Sequence, residues 1–425
     1  MTTVAERQVV EVRQRATPDE RRSSIVGGVL TALSLFVFWA FVIGVDGTLD
    51  ATFNLSLQTD RFQNLSWVVN SRTLSAVIAV IILALGIWRL TRSSLRWTNL
   101  SLAIGFGLFS LAFLAWAAAG GQFSMVGMLR STVLLSVVVV LGALTGLMCE
   151  RVGIINIGIE GQLLASAFAA VVLSSAFGTV AGVVGALLTG GLLGLFLAWL
   201  TIKFHVDQII AGVVINFLAL GLTSLMTARI LTDVQTLNAP QRISAWRIPA
   251  LADIPVIGPM LFDHNFFVYG MFILLFALHF GLFRTRWGLR SRSVGEHPEA
   301  ADTAGLNVYW IRYRNVVLGG MIAGFGGAFL GLSQVARFEE NMTGGIGFIG
   351  LAAMIFGRWM PFGALGAGLV FGFSRAVQQK ISILSVGIPS EFLLMLPYIV
   401  VIVVVAGVVG RTRPPAAEGH PYIKQ

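Results

Sequence analysis

The chain has 425 residues, of which 56% are hydrophobic and 12% charged, and a net charge of +9; its mean hydropathy is +0.83. These values exclude an ordinary soluble domain, and apolar runs of about 20 residues, where barrel strands would alternate over about ten, exclude a membrane β-barrel. The expectation is an all-α, polytopic transmembrane helical bundle whose basic residues sit in short loops as positive-inside topology requires, with no nucleic-acid-binding domain to gather them.

Residues 1–24 mix both charge signs without an apolar run and read as a cytoplasmic tail. The apolar run 25–45 is longer than a signal-peptide core, so it is expected to remain as the first of the spans in a transmembrane domain over 25–410. The connection 46–72 carries Asp46, Asp50 and Asp60, whereas the turn with Arg89, Arg92 and Arg96 is purely basic, which puts the first outside and the second inside. Further spans are expected at 73–88, 100–119, 126–148, 162–177, 180–202 and 208–231, the last capped by Asp207. The Pro-rich stretch 232–265 reads as an extracytoplasmic loop. After a span at 266–283, residues 285–312 form the most strongly charged internal segment, expected to be cytoplasmic. Spans at 315–332, a short apolar piece ending at 356, a break at 357–361, a span to about 377 and a last one at 393–409 complete about 10–12 membrane segments. Residues 411–425 would be a cytoplasmic tail, with both termini inside the cell inner membrane.

The unusual feature is Cys149 to Gly161, which sets Glu150, Arg151, Asn156 and Glu160 between two apolar runs. A charge in hydrocarbon costs about 2.5–3.5 kcal/mol even on the lenient insertion scale, so these groups belong against protein or a water-filled path. Glycines and β-branched residues around them predict a broken helix, which a membrane tolerates only where it is buried or lines a cavity. Two readings stay open: the segment borders a transport pathway, or Glu150 and Arg151 form a structural ion pair with Asn156 satisfying loose backbone. The Gly-rich stretch Gly344 to Gly350 is a second candidate break, and its bland reading is close helix packing. A span, a break and two more apolar segments recur at 126–202 and 313–410, as in an inverted pseudo-repeat. Segment 294–305 predicts a short helix with Pro298 at its first position, Glu299 and Asp302 near its positive end and Gly305 at its stop. Such a helix suits docking to a soluble partner; a solvated loop is the alternative.

Lys203, Lys380 and Lys424 follow Ile, Gln and Ile, so the Gly-Lys of a phosphate-binding loop occurs nowhere and the chain cannot hydrolyse ATP by the usual P-loop route. The five scattered histidines and the single cysteine predict no metal site, no disulfide and no cofactor.

Several motifs together resemble the permease subunits of ATP-binding-cassette importers, in the branch that handles branched-chain amino acids, simple sugars and nucleosides. Glu150-Arg151-x-Gly153-x-x-Asn156-Ile157-Gly158-x-Glu160-Gly161 looks like the signature of the nucleoside and simple-sugar members, and Gln208-Ile209-Ile210-x-Gly212 with Asn216-Phe217-Leu218-Ala219 like their next long helix. Arg286 to Arg290 with Val294-Gly295-Glu296 and Pro298-x-Ala300-Ala301 is similar to their coupling segment, and Gly347-Phe348-Ile349 with Gly357-Arg358-Trp359 to their second broken helix. His297 and Met360 depart from the usual Asn, and the first hundred residues are longer than is typical. The resemblance implies two permease chains, identical or related, two cytoplasmic ATPase subunits, an extracytoplasmic substrate-binding protein and surrounding lipid. It implies pathway residues Glu150, Asn156, Gly158, Glu160, Asn216, Gly347 and Phe348. It also implies ATPase coupling through Gly295, Glu296, Pro298, Glu299, Ala300, Ala301 and Asp302. An ion-coupled secondary transporter using Glu150 and Glu160 is the alternative class.

Overall fold

The computed structural model describes residues 18–44, 47, 49–57, 65–91, 97–384 and 413–424, with isolated positions between 389 and 399. Except at those positions, the expected last span lies outside the described residues, as do Arg92, Arg96 and the start of the N-terminal tail.

In chain order the helices are α1 (Pro18–Val37), α2 (Ser71–Thr91), α3 (Thr98–Ala117), α4 (Met125–Glu150), α5 (Ile159–Phe177), α6 (Thr179–Ala198) and α7 (Gln208–Met226). They continue with α8 (Ile257–Leu261), α9 (Phe266–Arg284), α10 (Arg286–Glu296), α11 (Pro298–Thr303), α12 (Val308–Phe329), α13 (Ile346–Phe356) and α14 (Pro361–Leu384). Four of them, α1, α6, α7 and α12, run on into a wider π-helical turn. Short strands β1 (Asp50–Asn54), β2 (Ser66–Asn70) and β3 (Gln122–Ser124) pair in the order β2-β1-β3, and β4 (Trp246–Arg247) pairs with β5 (Asp263–His264). Among the described residues nine helices are long and apolar enough to cross a membrane, and α13 is a shorter apolar one. The protein is an all-α, multi-pass membrane bundle.

Local chemistry sets the helix ends. Asp207 caps α7 by accepting from the N–H groups of Ile209 and Ile210 at 2.9 and 3.0 Å, as its position predicts. Asn307 caps α12 through the Trp310 N–H, so that helix begins before the apolar run does. Arg312 and Arg314 therefore lie in its first turns, and Arg312 is buried. The short helix expected with Pro298 at its first position is α11; a further helix, α10, precedes it and ends at Glu296, and His297 between them adopts the extended backbone that a following proline favours.

Two compact units divide the chain, residues 1–53 with 66–123 and residues 54–65 with 124–425. In the first, α1, α2 and α3 pack around Val26, Leu30, Ile78, Ile82 and Ala112. Arg89, read from sequence as part of a basic turn, is buried there and donates to Ser23 Oγ at 2.9 Å and to Thr98 Oγ1. It ties one end of all three helices together.

In the second unit α4 is the axis. Over its most apolar stretch α4 is 94% buried, against 28% for α7. It packs on α12, α13 and α14, while α12 packs on α5 and α6. The α6–α12 approach is set by glycine: a Cβ at Gly190 would lie 2.2 Å from the Gly320 carbonyl oxygen, and one at Gly324 would lie 2.3 Å from Ala186 O. With little hydrophobic drive between helices in lipid, such backbone contact is the source of packing energy.

Candidate functional site

The first break runs from Arg151 to Gly158. After Glu150 the chain turns through Gly153, whose φ of +82° no other residue adopts easily, and re-enters helix at Ile159. The second break brackets α13. Gly344 and Gly345 precede it at φ +50° and +84°, and Arg358 and Trp359 follow it at +56° and +52°. Left-handed backbone at a bulky residue costs about 1–3 kcal/mol and persists only where its surroundings hold it.

Those surroundings are Glu150 and Arg151. The indole N–H of Trp359 donates to Glu150 Oε2 at 2.5 Å, and Arg151 Nε and Nη2 donate to the Trp359 carbonyl oxygen at 3.2 and 2.5 Å. The adjacent carboxylate and guanidinium thus clasp the second break rather than each other. Arg151 and Arg292 also each lie over the Phe283 ring, at 5.3 and 5.1 Å from its centroid.

Glu160 joins the breaks from the other side. Its Oε1 accepts from Gly345 N–H and its Oε2 from Gly347 N–H, each at 2.7 Å. It lies in the first turn of α5 and caps the first turn of α13, so one charge sits against two positive helix ends. Gly347 is required by this contact, since a Cβ there would lie 2.6 Å from Glu160 N.

Asn216 ties the first break to α7, accepting from Gly161 N–H at 2.8 Å and donating to Ile157 O at 3.0 Å. Gly158 packs on the same helix near Gly212. Asn156 is fully buried and donates to Gln162 Oε1 at 3.1 Å. That leaves Asn156 Oδ1, Gln162 Nε2 and, a turn further along α5, Ser166 Oγ buried without a hydrogen-bond partner. Unpaired buried polar groups are uncommon. Phe348 differs from the other expected pathway residues in being exposed, at 47%.

The expected coupling residues group together. Gly295 packs on the first break so closely that a Cβ would lie 2.4 Å from Arg151 O. Pro298 and Ala301 are buried, Asp302 is half-buried, and Glu296, Glu299 and Ala300 are exposed. α11 therefore has an anchored face and a free one. Two participants appear in the sequence reading only as motif residues: Trp359, and Gln208, whose Oε1 accepts from Ile155 N–H at 2.7 Å.

Residues 127–405 match the family described as branched-chain amino acid transport system / permease component. The chain belongs to this family. It is 40% identical over 304 residues, covering 69% of this chain and 95% of the relative, to a guanosine ABC transporter permease protein of Bacillus subtilis. It is 38% identical over 292 residues, 66% of this chain and 91% of the relative, to a nucleoside ABC transporter permease protein of Lactococcus lactis. A putative glucose ABC transporter permease protein of Haloferax volcanii is 32% identical over 62% of this chain and 80% of its own length. No solved structure matches the chain. As a member of a permease family it is a transport subunit and not itself an enzyme.

Proposed function

We propose that this chain is the permease subunit of an ATP-binding-cassette importer for nucleosides in the cytoplasmic membrane, with both termini inside. Its partners are cytoplasmic ATPase subunits, a second permease chain, identical or related, and an extracytoplasmic substrate-binding protein. The observation that carries the reading is the 40% identity to a guanosine permease over 95% of that protein's length. The glucose relative at 32% identity makes nucleosides the better choice over sugars.

The geometry supports a route for the work. ATPase subunits dock on the free face of α11 at Glu299 and Ala300 and on Glu296 at the end of α10, while Pro298 and Ala301 hold α11 to the bundle. Movement of α10 reaches the first break through the Gly295–Arg151 contact, and the Trp359 clasp passes it to α13 and α14. Nucleotide and solute then favour different arrangements of the two breaks, which is what coupled transport requires. The solute path runs beside Asn156, Gln162 and Ser166 of α5, with Phe348 at its exposed rim and Glu150, Glu160, Gly158, Asn216 and Gly347 shaping its wall. Glu150 and Glu160, which an ion-coupled carrier would use, are both held by donors.

Two experiments test this. Uptake of radiolabelled guanosine, pentose and hexose is compared in cells with and without the chain; loss of guanosine uptake alone is expected, and unchanged guanosine uptake overturns the reading. Reversing the charges of Glu296, Glu299 and Asp302 is expected to leave the protein inserted and abolish transport, whereas normal uptake removes the coupling assignment.

A further inference from the structure

The polar C-terminal segment, residues 413–424, touches both halves of the proposed machinery. Ala417 N–H donates to Gly295 O at 2.9 Å and Gly419 N–H to Gly153 O at 3.3 Å. Ala416 N–H donates to Glu296 Oε2 at 3.2 Å. At the far end Lys424 Nζ lies 3.3 Å from Asp302 Oδ1, and its main-chain N–H donates to Tyr309 Oη at 3.2 Å. Between them Tyr422 is 6% exposed, packs on Tyr309 with ring centroids 5.5 Å apart, and shares an apolar cluster with Val152, Ile154, Val294, Ala301 and Ile311.

Two features give these contacts a direction. The segment holds α10 through Gly295 and Glu296 and α11 through Asp302, so it bridges the bend at His297. It also grips the first break at Gly153, where a Cβ would lie 2.9 Å from Ala417 O. A six-residue helix between a bend and Gly305, at φ +82°, would otherwise swing on two hinges and dissipate a push from outside. Meanwhile Glu299 and Ala300 stay uncovered.

We propose that residues 414–424 are a strut of the coupling machinery, which makes α10 and α11 one body and fastens that body to the first break. Tyr422 is its positioning residue. The inference rests on the reading of α10–α11 as the ATPase-docking segment.

The test uses the full chain with its ATPase and binding protein in proteoliposomes, measuring ATP hydrolysis and guanosine uptake together. Truncation after Thr412 and Tyr422→Ala are each expected to keep the ATPase bound and hydrolysing at its basal rate while guanosine moved per ATP falls about tenfold. Tyr422→Phe, which keeps the ring, is expected to restore the ratio. An unchanged ratio in the truncated chain overturns the proposal, and so does loss of ATPase binding, which would make the segment part of the docking surface. If the truncated chain does not accumulate, the ratio for Tyr422→Ala decides alone. Failure of the full-length complex to hydrolyse ATP or carry guanosine removes the functional reading, and the strut with it.

Discussion

Glu160 brings a charge into the bundle and gives each carboxylate oxygen to a main-chain N–H of α13. Glu160→Gln keeps the shape but turns an NH2 donor toward one of those donors, so a loss of about 1–3 kcal/mol in stability is expected. Thermal unfolding of the purified chain measures it; uptake per molecule is expected to persist, and loss of uptake at unchanged stability would assign Glu160 to solute. Trp359→Phe removes the indole N–H from the Glu150 carboxylate and frees a strained turn, so a lower melting temperature is expected here too. Glu418 adds a pH dependence. Burial raises its pKa above the ordinary carboxylate value, against the opposing effect of its hydrogen bond with the Glu150 carboxyl. A folded-state pKa above the unfolded one makes this contribution to stability full below the unfolded-state pKa and lost as pH rises through the folded one. A spin label at Ile423→Cys is expected to gain mobility across that rise, and Glu418→Gln to flatten the response. Sequence marks Glu150, Asn156 and Glu160 as special because charge and amide are expensive among apolar neighbours. It does not give the partners of the two carboxylates, since Gly345, Gly347 and Trp359 lie 185 to 209 residues away.

At the scale of elements, hydropathy places most spans because a membrane demands long apolar runs and admits few alternatives. It misplaces the start of α12, where an Asn cap and two arginines extend the helix beyond its apolar part. Sequence marks α11, which starts on Pro298 as expected, but not α10 before it, whose charged sequence carries no apolar run. Close approach is equally hidden: Gly320 reads as one glycine among 48 until α6 lies against it. Gly320→Val is expected to separate α6 from α12 and prevent accumulation of the folded chain, whereas Gly221→Ala, with open space around it, is expected to leave accumulation unchanged. Quantifying detergent-stable protein by size exclusion distinguishes the two.

For the whole molecule, the family match begins at residue 127, just after the first unit ends at Phe123. The three-helix unit is thus an addition that the family pattern does not describe, consistent with the long N-terminal region noted in the sequence. The buried Cys149 leaves single introduced cysteines as the reactive thiols for mapping topology. Glu299→Cys is expected to react with an impermeant maleimide only after the cells are opened, and Gln241→Cys in intact cells; the reverse pattern would invert the proposed orientation.

The clasp around Trp359 has an optical consequence. Indole emission depends on the charges and water near the ring, and this ring is hydrogen-bonded to a carboxylate across the junction proposed to pass motion between the two breaks. A chain in which Trp359 alone remains of the ten tryptophans would carry its own fluorophore at that junction. Its spectrum would follow each turn of the transport cycle in real time, with no label added.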